Sequence, residues 1–301
     1  MAKNPATVVS AYYRMPSKRP HEFYVPHIRR FLETIRAPLV FYTSADLLEE
    51  LRSYRTINRE TTRFEVLEIE DFNAFKRHGR TFWEQQCQLD TEKYHTPEVA
   101  AVWYEKKEFV LRTAALNPFR TELFMWCDSG LIRTPDWMPH MATFCTDLKV
   151  VPKGRLLVPQ IREMPKPRPG ELPLFKFPAI MIAAGLMVGH AATWQRLADE
   201  YEKVLQAYVK AGYCVNSDQY IIASLGLTKP DLIQFVDLRK HSTCLLAENA
   251  GGTLRLVGRA PSHGNIKPNQ RLVYAWTGHP LPAGQTALVP DEWMFFLWYL
   301  S

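Results

Sequence analysis

Residues 95–130 read HTPEVAAVWYEKKEFVLRTAALNPFRTELFMWCDSG, and how this stretch divides decides the fold. Thr96 is a good helix N-cap, Pro97 suits the first helical position, and Glu98 favours the positive end of the helix dipole. Asn117-Pro118 ends the helix. Leu123–Cys127 then forms an apolar run that reads as a buried strand, and it stops abruptly at Asp128, Ser129 and Gly130.

Upstream, helices and strands alternate. TVVSAYY (7–13) is β-branched and aromatic, a strand that ends in the basic loop YYRMPSKRP. Val25, Ile28, Phe31, Leu32 and Ile35 fall at helical spacing. PLVFYTS (38–44) is a second strand, Thr43 or Ser44 is placed to cap the helix ADLLEELRSY, and RFEVLEI (63–69) is a third strand. A β-α-β-α-β beginning predicts an α/β fold with a mixed, mostly parallel sheet flanked by helices. Residues 71–95 are polar and read as helical.

Downstream, residues 152–178 hold Pro152, Pro159, Pro165, Pro167, Pro169, Pro173 and Pro178. Proline disfavours regular helix and central strand, so the segment reads as an exposed loop able to cover a site, or as a plain linker. After the apolar run AIMIAAGLMVGH, a helix is expected over roughly 191–210, with Leu197, Tyr201, Val204, Leu205 and Tyr208 on one face and Gly212 closing it. NSDQYIIASLG is a short helix with Asn216 or Ser217 as cap, and LIQFVDL and RLVYAW are later strands. The aromatic C-terminus, DEWMFFLWYLS, reads as a final helix on the core, with a membrane-surface anchor as the alternative. No internal repeat is found, and a single domain over 1–301 is expected.

Composition narrows the function classes. Over 301 residues, 47% hydrophobic and 23% charged content is that of an ordinary folded domain. The net charge of +6 is a mild excess, concentrated partly before residue 37; it suits an anionic ligand or membrane surface and is too weak for a nucleic-acid arm. Cys87, Cys127, Cys145, Cys214 and Cys244 are odd in number and lack a CxxC, which points to reduced thiols rather than a disulfide framework or zinc ribbon. The N-terminus has no signal-peptide core and no run reaches about 18 apolar residues. A cytoplasmic location is expected, with peripheral membrane contact compatible.

No GxGxxG, Walker A, GxSxG or HExxH occurs. Three features remain. Asp128-Ser129-Gly130 sits at the C-terminal end of a strand, where open α/β sheets bind ligands. An Asp there is either a turn former or a ligand for a cation that bridges phosphates. Gly185 follows an apolar run and permits close backbone approach, and about 30 residues on, Asp218 and Gln219 lead a short helix, as cap or as functional pair. Last, APSHGNIKPNQRL places His263 and Lys267 near a glycine, residue types that ligate a metal or neutralise a diphosphate, though both are common on surfaces.

Taken in order, VVSAYY, PLVFYTS, the 95–119 helix, LFMWCDSGLIR, AAGLMVGHAATWQRL and SDQYIIASL resemble the HtrL/YibB family of bacterial proteins, linked to lipopolysaccharide gene clusters. More distantly the order is similar to the glycogenin-like GT-A glycosyltransferases. In that pattern Asp128 matches the first Asp of a metal-binding DxD, while Gly130 stands in place of the second. Ala184 lies near the usual Asn, Asp218-Gln219 matches the pair beside the sugar, and His263 with Lys267 resembles the late metal and diphosphate motif at shorter spacing. The resemblance also implicates Lys106 over the diphosphate or sugar, with Lys107 one residue away and Trp103 on the same helix. It further implicates Ala11, Tyr12, Tyr13 and Arg14 around the nucleotide, and Ser129 and Gly185 at the donor.

What it implies is a glycosyltransferase that moves a sugar from a UDP-sugar to a glycan or lipid-linked saccharide. Mn2+ or Mg2+ would be held by Asp128 and His263, and the acceptor would lie near Asp218 and Gln219. The alternative is a non-catalytic glycan-binding or assembly protein on a degenerate GT-A scaffold, motivated by Gly130 and by eight tryptophans able to stack on sugars. A nucleotidyltransferase is the third option.

Overall fold

Ala6–Ala11 (β1), Leu39–Thr43 (β2), Leu123–Cys127 (β4) and Leu156–Gln160 (β5) are buried at every position. Strands covered on both faces need apolar side chains on both, hence their mostly apolar sequences, with Thr7, Ser10, Thr43 and Gln160 as the buried polar exceptions. The computed structural model describes residues 5–237 except 134, 136, 137, 143, 144, 147, 149, 150 and 178, together with the strands Thr243–Ala250 (β8), Thr253–Arg259 (β9) and Gln270–Ala275 (β10). The four buried strands join Thr62–Val66 (β3), Leu186–His190 (β6) and Ile233–Asp237 (β7) in a seven-stranded sheet of order β3-β2-β1-β4-β6-β5-β7. β1 is parallel to β2 and β4, β2 to β3, and β5 to β7; β6 runs antiparallel to β4 and β5. The protein is therefore α/β, with a mixed and mostly parallel sheet. β8 to β10 form a separate antiparallel sheet of order β10-β8-β9.

The helices cover both faces of the large sheet. His21–Thr34 (α1), Leu48–Tyr54 (α2) and Met138–Ala142 (α6) belong to one side. Pro97–Leu116 (α5), Ala191–Lys210 (α7) and Asp218–Thr228 (α8) belong to the other. β4 shows the two-residue period: Phe124 and Trp126 join the core beneath α5 and α7, while Leu123, Met125 and Cys127 join the core beneath α1. Arg55, just after α2, is buried and donates to Leu32 O at 2.7 Å and Ile35 O at 2.6 Å. It thereby satisfies carbonyls at the end of α1, which has no basic residue in its last turn.

The long helices fall where the sequence puts them. Thr96 Oγ1 accepts from Val99 N, Pro97 opens α5, and Asn117 ends it in the left-handed conformation at φ 36°. α7 closes on Gly212 at φ 72°, with Gly212 N bonded to Val209 O and Tyr213 N to Tyr208 O, the paired bonds of a Schellman turn.

Four local expectations are corrected. Ser44 precedes the turn Ala45–Leu47 and α2 but caps neither; its hydroxyl goes to the Asp46 carboxylate, and Glu68 Oε1 receives Ala45 N at 2.9 Å instead. Thr43 Oγ1 bonds Tyr12 O at 2.9 Å. Asn216 and Ser217 give α8 no side-chain cap; Ser217 holds the cap position and Asn216 faces the His95 ring at 3.3 Å. The polar segment 71–95 contains two helices, Asn73–His78 (α3) and Arg80–Leu89 (α4), parted by Gly79 at φ 78°, a conformation glycine adopts without Cβ strain.

The fourth correction concerns the proline-rich segment, which is not loop throughout: β5 lies inside it, with Pro159 at a buried strand position. β5 bonds continuously only to β7, and its pairing with β6 is limited to Leu157 and Val188, so a missing N–H is tolerated there. The part after β5, like residues 152–155 before it, runs without regular structure, and residues 165–171 are exposed. That part is tied down at its end, where Phe175 N donates to Tyr208 Oη at 2.8 Å. The terminal stretch DEWMFFLWYLS lies outside the described residues.

Gly226 in α8 packs directly on the Phe235 ring of β7; a Cβ there would overlap three ring atoms. Gly226→Ala is expected to destabilise the fold by about 1–3 kcal/mol in urea unfolding, by overpacking. A loss below about 0.5 kcal/mol would show that the ring moves aside freely.

Candidate functional site

The sheet order reverses between β1 and β4, since β2 and β3 extend to one side and β6, β5 and β7 to the other. In open α/β sheets the crevice at the carboxyl ends of such neighbouring strands receives ligands. Asp128 directly follows β4 at this point. Its N–H donates to Gly185 O at 2.8 Å and its carbonyl accepts from Leu131 N at 3.1 Å, closing a turn. Ser129 Oγ donates to Ala11 O at 2.9 Å, and Ser10 Oγ to Cys127 O at 2.7 Å, stitching the ends of β1 and β4 together. Asp128 is thus a turn residue, and its side chain is still 34% exposed.

Lys106 joins this turn to two other segments. It sits within α5, buried, with Nζ 3.3 Å from Asp128 Oδ1 and 3.0 Å from Asp218 Oδ2. It also donates to Ala184 O at 3.3 Å. Asp218 opens α8 and is buried; its Oδ2 meets the ammonium as an ion pair but receives no aligned hydrogen bond. Gln219 Nε2 donates to Ile182 O at 3.0 Å, fixing α8 to the segment before β6. Trp126 Nε1 donates to Asp128 Oδ1 at 2.7 Å.

One ammonium therefore serves two carboxylates. Burial would lower the Lys106 pKa, but Asp128 and then Asp218 outweigh it and hold it above the usual lysine value. Burial raises the Asp218 carboxyl, against the pull of Lys106. With two acids and one base, the centre carries an excess negative charge, which favours a cation or proton over a second anion.

The neighbouring Lys107 is differently employed. It is buried, donates to Tyr104 O at 2.8 Å, lies 3.1 Å over the Tyr104 ring centroid, and is 3.4 Å from Glu108 Oε1. Burial pulls its pKa down to about 8, more than the neighbouring carboxylates recover. The unfolded chain then binds the extra proton above pH 8, so this lysine makes stability rise with pH from about 8 to the ordinary lysine value. Across that window the wild type should gain about 1–3 kcal/mol relative to Lys107→Met in urea unfolding. Parallel pH profiles for the two proteins would show that Lys107 is not depressed.

The remaining sequence-derived residues divide. Tyr12 is half-buried with its hydroxyl 2.7 Å from His21 Nδ1. Tyr13 is enclosed by Phe72 and Phe109 at centroid distances of 5.0 and 6.2 Å, with its hydroxyl unpartnered, so its ring faces the core. Arg14 is exposed and pairs with Asp46 at 3.2 Å and Glu50 at 3.4 Å. Trp103 packs edge-on against His95 at 4.8 Å. His263 and Lys267 lie outside the described residues. The structure thus brings together Ala11, Lys106, Asp128, Ser129, Gly185, Asp218 and Gln219, and turns Tyr13 away.

Sequence reading missed Trp126 and the group Asp90, Glu92 and His95, whose potential ligand atoms lie within 4.8 Å of one another. The polar run 71–95 hid that group. Its atoms are partly engaged with each other: His95 Nδ1 is 2.7 Å from Asp90 Oδ2, and Glu92 N donates to Asp90 Oδ1 at 3.0 Å.

A hard divalent cation takes oxygen ligands. At the sheet edge, Asp128 Oδ2 is a carboxylate oxygen on which no described residue places a donor, while Asp218 is committed to Lys106. Gly130 offers no side-chain ligand, although a Cβ there would meet open space. Among the described residues, this edge therefore offers a cation one side-chain oxygen, Asp128 Oδ2.

No family model and no curated protein matches the chain in sequence. Among solved structures, the apo form of mouse xyloside xylosyltransferase 1 aligns with 77% of this chain and 85% of its own, at 12% identity and a TM-score of 0.45. Among the described residues, no helix is long and apolar enough to cross a membrane.

Proposed function

We propose that the protein is a glycosyltransferase that uses a nucleotide sugar, with a UDP-sugar as the donor and a glycan or lipid-linked saccharide as the acceptor. The observation that carries the reading is the meeting of Asp128, Lys106 and Asp218, from three distant segments, at the sheet's switch point. The chain is read as one GT-A-like domain over 1–301, in keeping with its resemblance to the HtrL/YibB proteins.

In this reading the donor lies across the ends of β1 and β4. Tyr12 is left as the aromatic for the base, because Tyr13 faces the core. Asp128 Oδ2 and His263 are the residues that would hold Mn2+ or Mg2+, and such an ion would offset charge developing on the leaving diphosphate. Lys106 sets the distance between Asp128 and Asp218, since its ammonium touches both. Gln219, fixed by Ile182 O, lines the acceptor side with Asp218, where a hydroxyl must be held against the anomeric carbon. Lys267 is the candidate for the diphosphate.

The deciding experiment is a nucleotide-sugar panel read by UDP or GDP release, with and without Mn2+. Release from one UDP-sugar that accelerates with acceptor is the expected result, together with thermal stabilisation by UDP. No release and no shift with any nucleoside diphosphate would sink the reading. The open space at Gly130 favours a second reading, a glycan-binding protein on the same scaffold. Glycan binding without nucleotide-sugar turnover would select it.

A further inference from the structure

The sequence offers no reason to single out Trp126, an aromatic in a buried strand. Its surroundings do. The side chain lies in the core, stacked on Phe109 at 5.9 Å with 12° between the planes. Phe109 is one helical turn beyond Lys106 on α5, and the Lys106 ammonium is 5.8 Å from the Trp126 ring centroid. The ring is therefore wedged between the helix that supplies the ammonium and the turn that supplies the carboxylate. Its one polar atom, Nε1, donates to Asp128 Oδ1 at 2.7 Å. Lys106 Nζ approaches the same oxygen at 3.3 Å.

Two donors thus converge on Oδ1, and the backbone of Asp128 is pinned to Gly185 O. A carboxylate with its backbone fixed and one oxygen doubly engaged loses the freedom to rotate about its side-chain bonds. An aspartate held by an indole two residues earlier, in the strand that the turn follows, cannot exchange its two oxygens without breaking a short hydrogen bond.

We infer that Trp126 is a positioning residue, which locks Asp128 through Oδ1 so that Oδ2 alone meets the ligand. This deepens the glycosyltransferase reading and rests on it for the identity of the ligand. It specifies single-oxygen engagement of the donor complex by Asp128. Outer groups that orient a ligating side chain are worth about 10–100-fold in affinity, which sets the expected effect.

The test separates the hydrogen bond from the packing. Replacing Trp126 with benzothienylalanine keeps the bicyclic shape and puts sulfur where the N–H was. Trp126→Phe is the genetic counterpart and identifies the Trp126 indole signal by its disappearance. Two quantities are measured: the Kd for UDP in the presence of Mn2+, and the indole 15N–1H cross-peaks of wild type and Asp128→Ala.

The expected result is a Kd for the benzothienylalanine protein raised about 10–100-fold at unchanged melting temperature. The Trp126 cross-peak should also move further in Asp128→Ala than those of the other tryptophans. A Kd equal to wild type overturns the positioning role and leaves the glycosyltransferase reading intact. If wild type binds no UDP, that reading falls, and the cross-peak decides the inference. Movement in Asp128→Ala then supports the lock on Asp128, and an unmoved peak overturns it.

Discussion

Lys106→Met is expected to lower the unfolding free energy by about 3–5 kcal/mol, the scale for removing one partner of a buried ion pair. The side chain is 5% exposed, so water cannot replace the lost ammonium. Asp218, 4% exposed and without an aligned hydrogen bond on Oδ2, is left as an uncompensated buried charge. The loss should be partly reversed in the double variant Lys106→Met with Asp218→Asn, which removes the orphaned charge. Urea unfolding of the single and double variants measures both steps. A single-variant loss under about 1 kcal/mol would place the lysine among weak surface pairs and contradict its burial.

Asp128→Ala should do the opposite: leave the fold and remove the activity. Its side chain is partly solvent-exposed, and Lys106 keeps both Asp218 and Ala184 O when Asp128 is truncated. UDP release is expected to fall by at least about 100-fold, the scale for losing one group that stabilises developing charge. The fold should persist, with the unfolding free energy lowered by about 1–3 kcal/mol because the buried Trp126 Nε1 and Lys106 each lose a partner. Full transfer activity in a folded Asp128→Ala protein would remove Asp128 from the site. A collapsed fold would instead make it structural.

The backbone of this protein is legible because its strongest signals are local. Thr96, Pro97 and Asn117-Pro118 mark α5 by capping chemistry alone, and Gly212 marks the end of α7. Local signals fail where a partner arrives from afar. Ser44 and Ser217 have the right chemistry for caps but leave those backbone donors uncapped, with Glu68 arriving at Ala45 from another segment. Pro159 argues against a strand until the sparse β5–β6 pairing shows that its missing N–H costs little.

The site shows the same division. Asp128 and Asp218-Gln219 were found by their place at the ends of elements, a pattern of chain order. Lys106 came through resemblance, because a lysine in an amphipathic helix is by default solvated. Only the folded chain separates it from Lys107: one faces two carboxylates and the other two tyrosine rings. Trp126 left no trace at all, since an indole that orients a carboxylate and one that merely fills a core are written with the same letter.

The proline-rich stretch after β5 has a practical consequence. Two of its exposed basic residues, Lys166 and Arg168, are followed by Pro167 and Pro169, and Arg168 is 90% exposed, while the other two, Arg162 and Lys176, lie outside 163–171. Exposed irregular segments are where proteases normally nick a domain. A bond whose next residue is proline has a locked φ and no N–H, so it is a poor substrate for trypsin. Glu163 and Glu171 in the same stretch have no such shield. Limited digestion should therefore leave 163–171 whole with trypsin and nick it with a glutamate-directed protease, giving two separable halves from which to ask whether the chain still holds together without this connection.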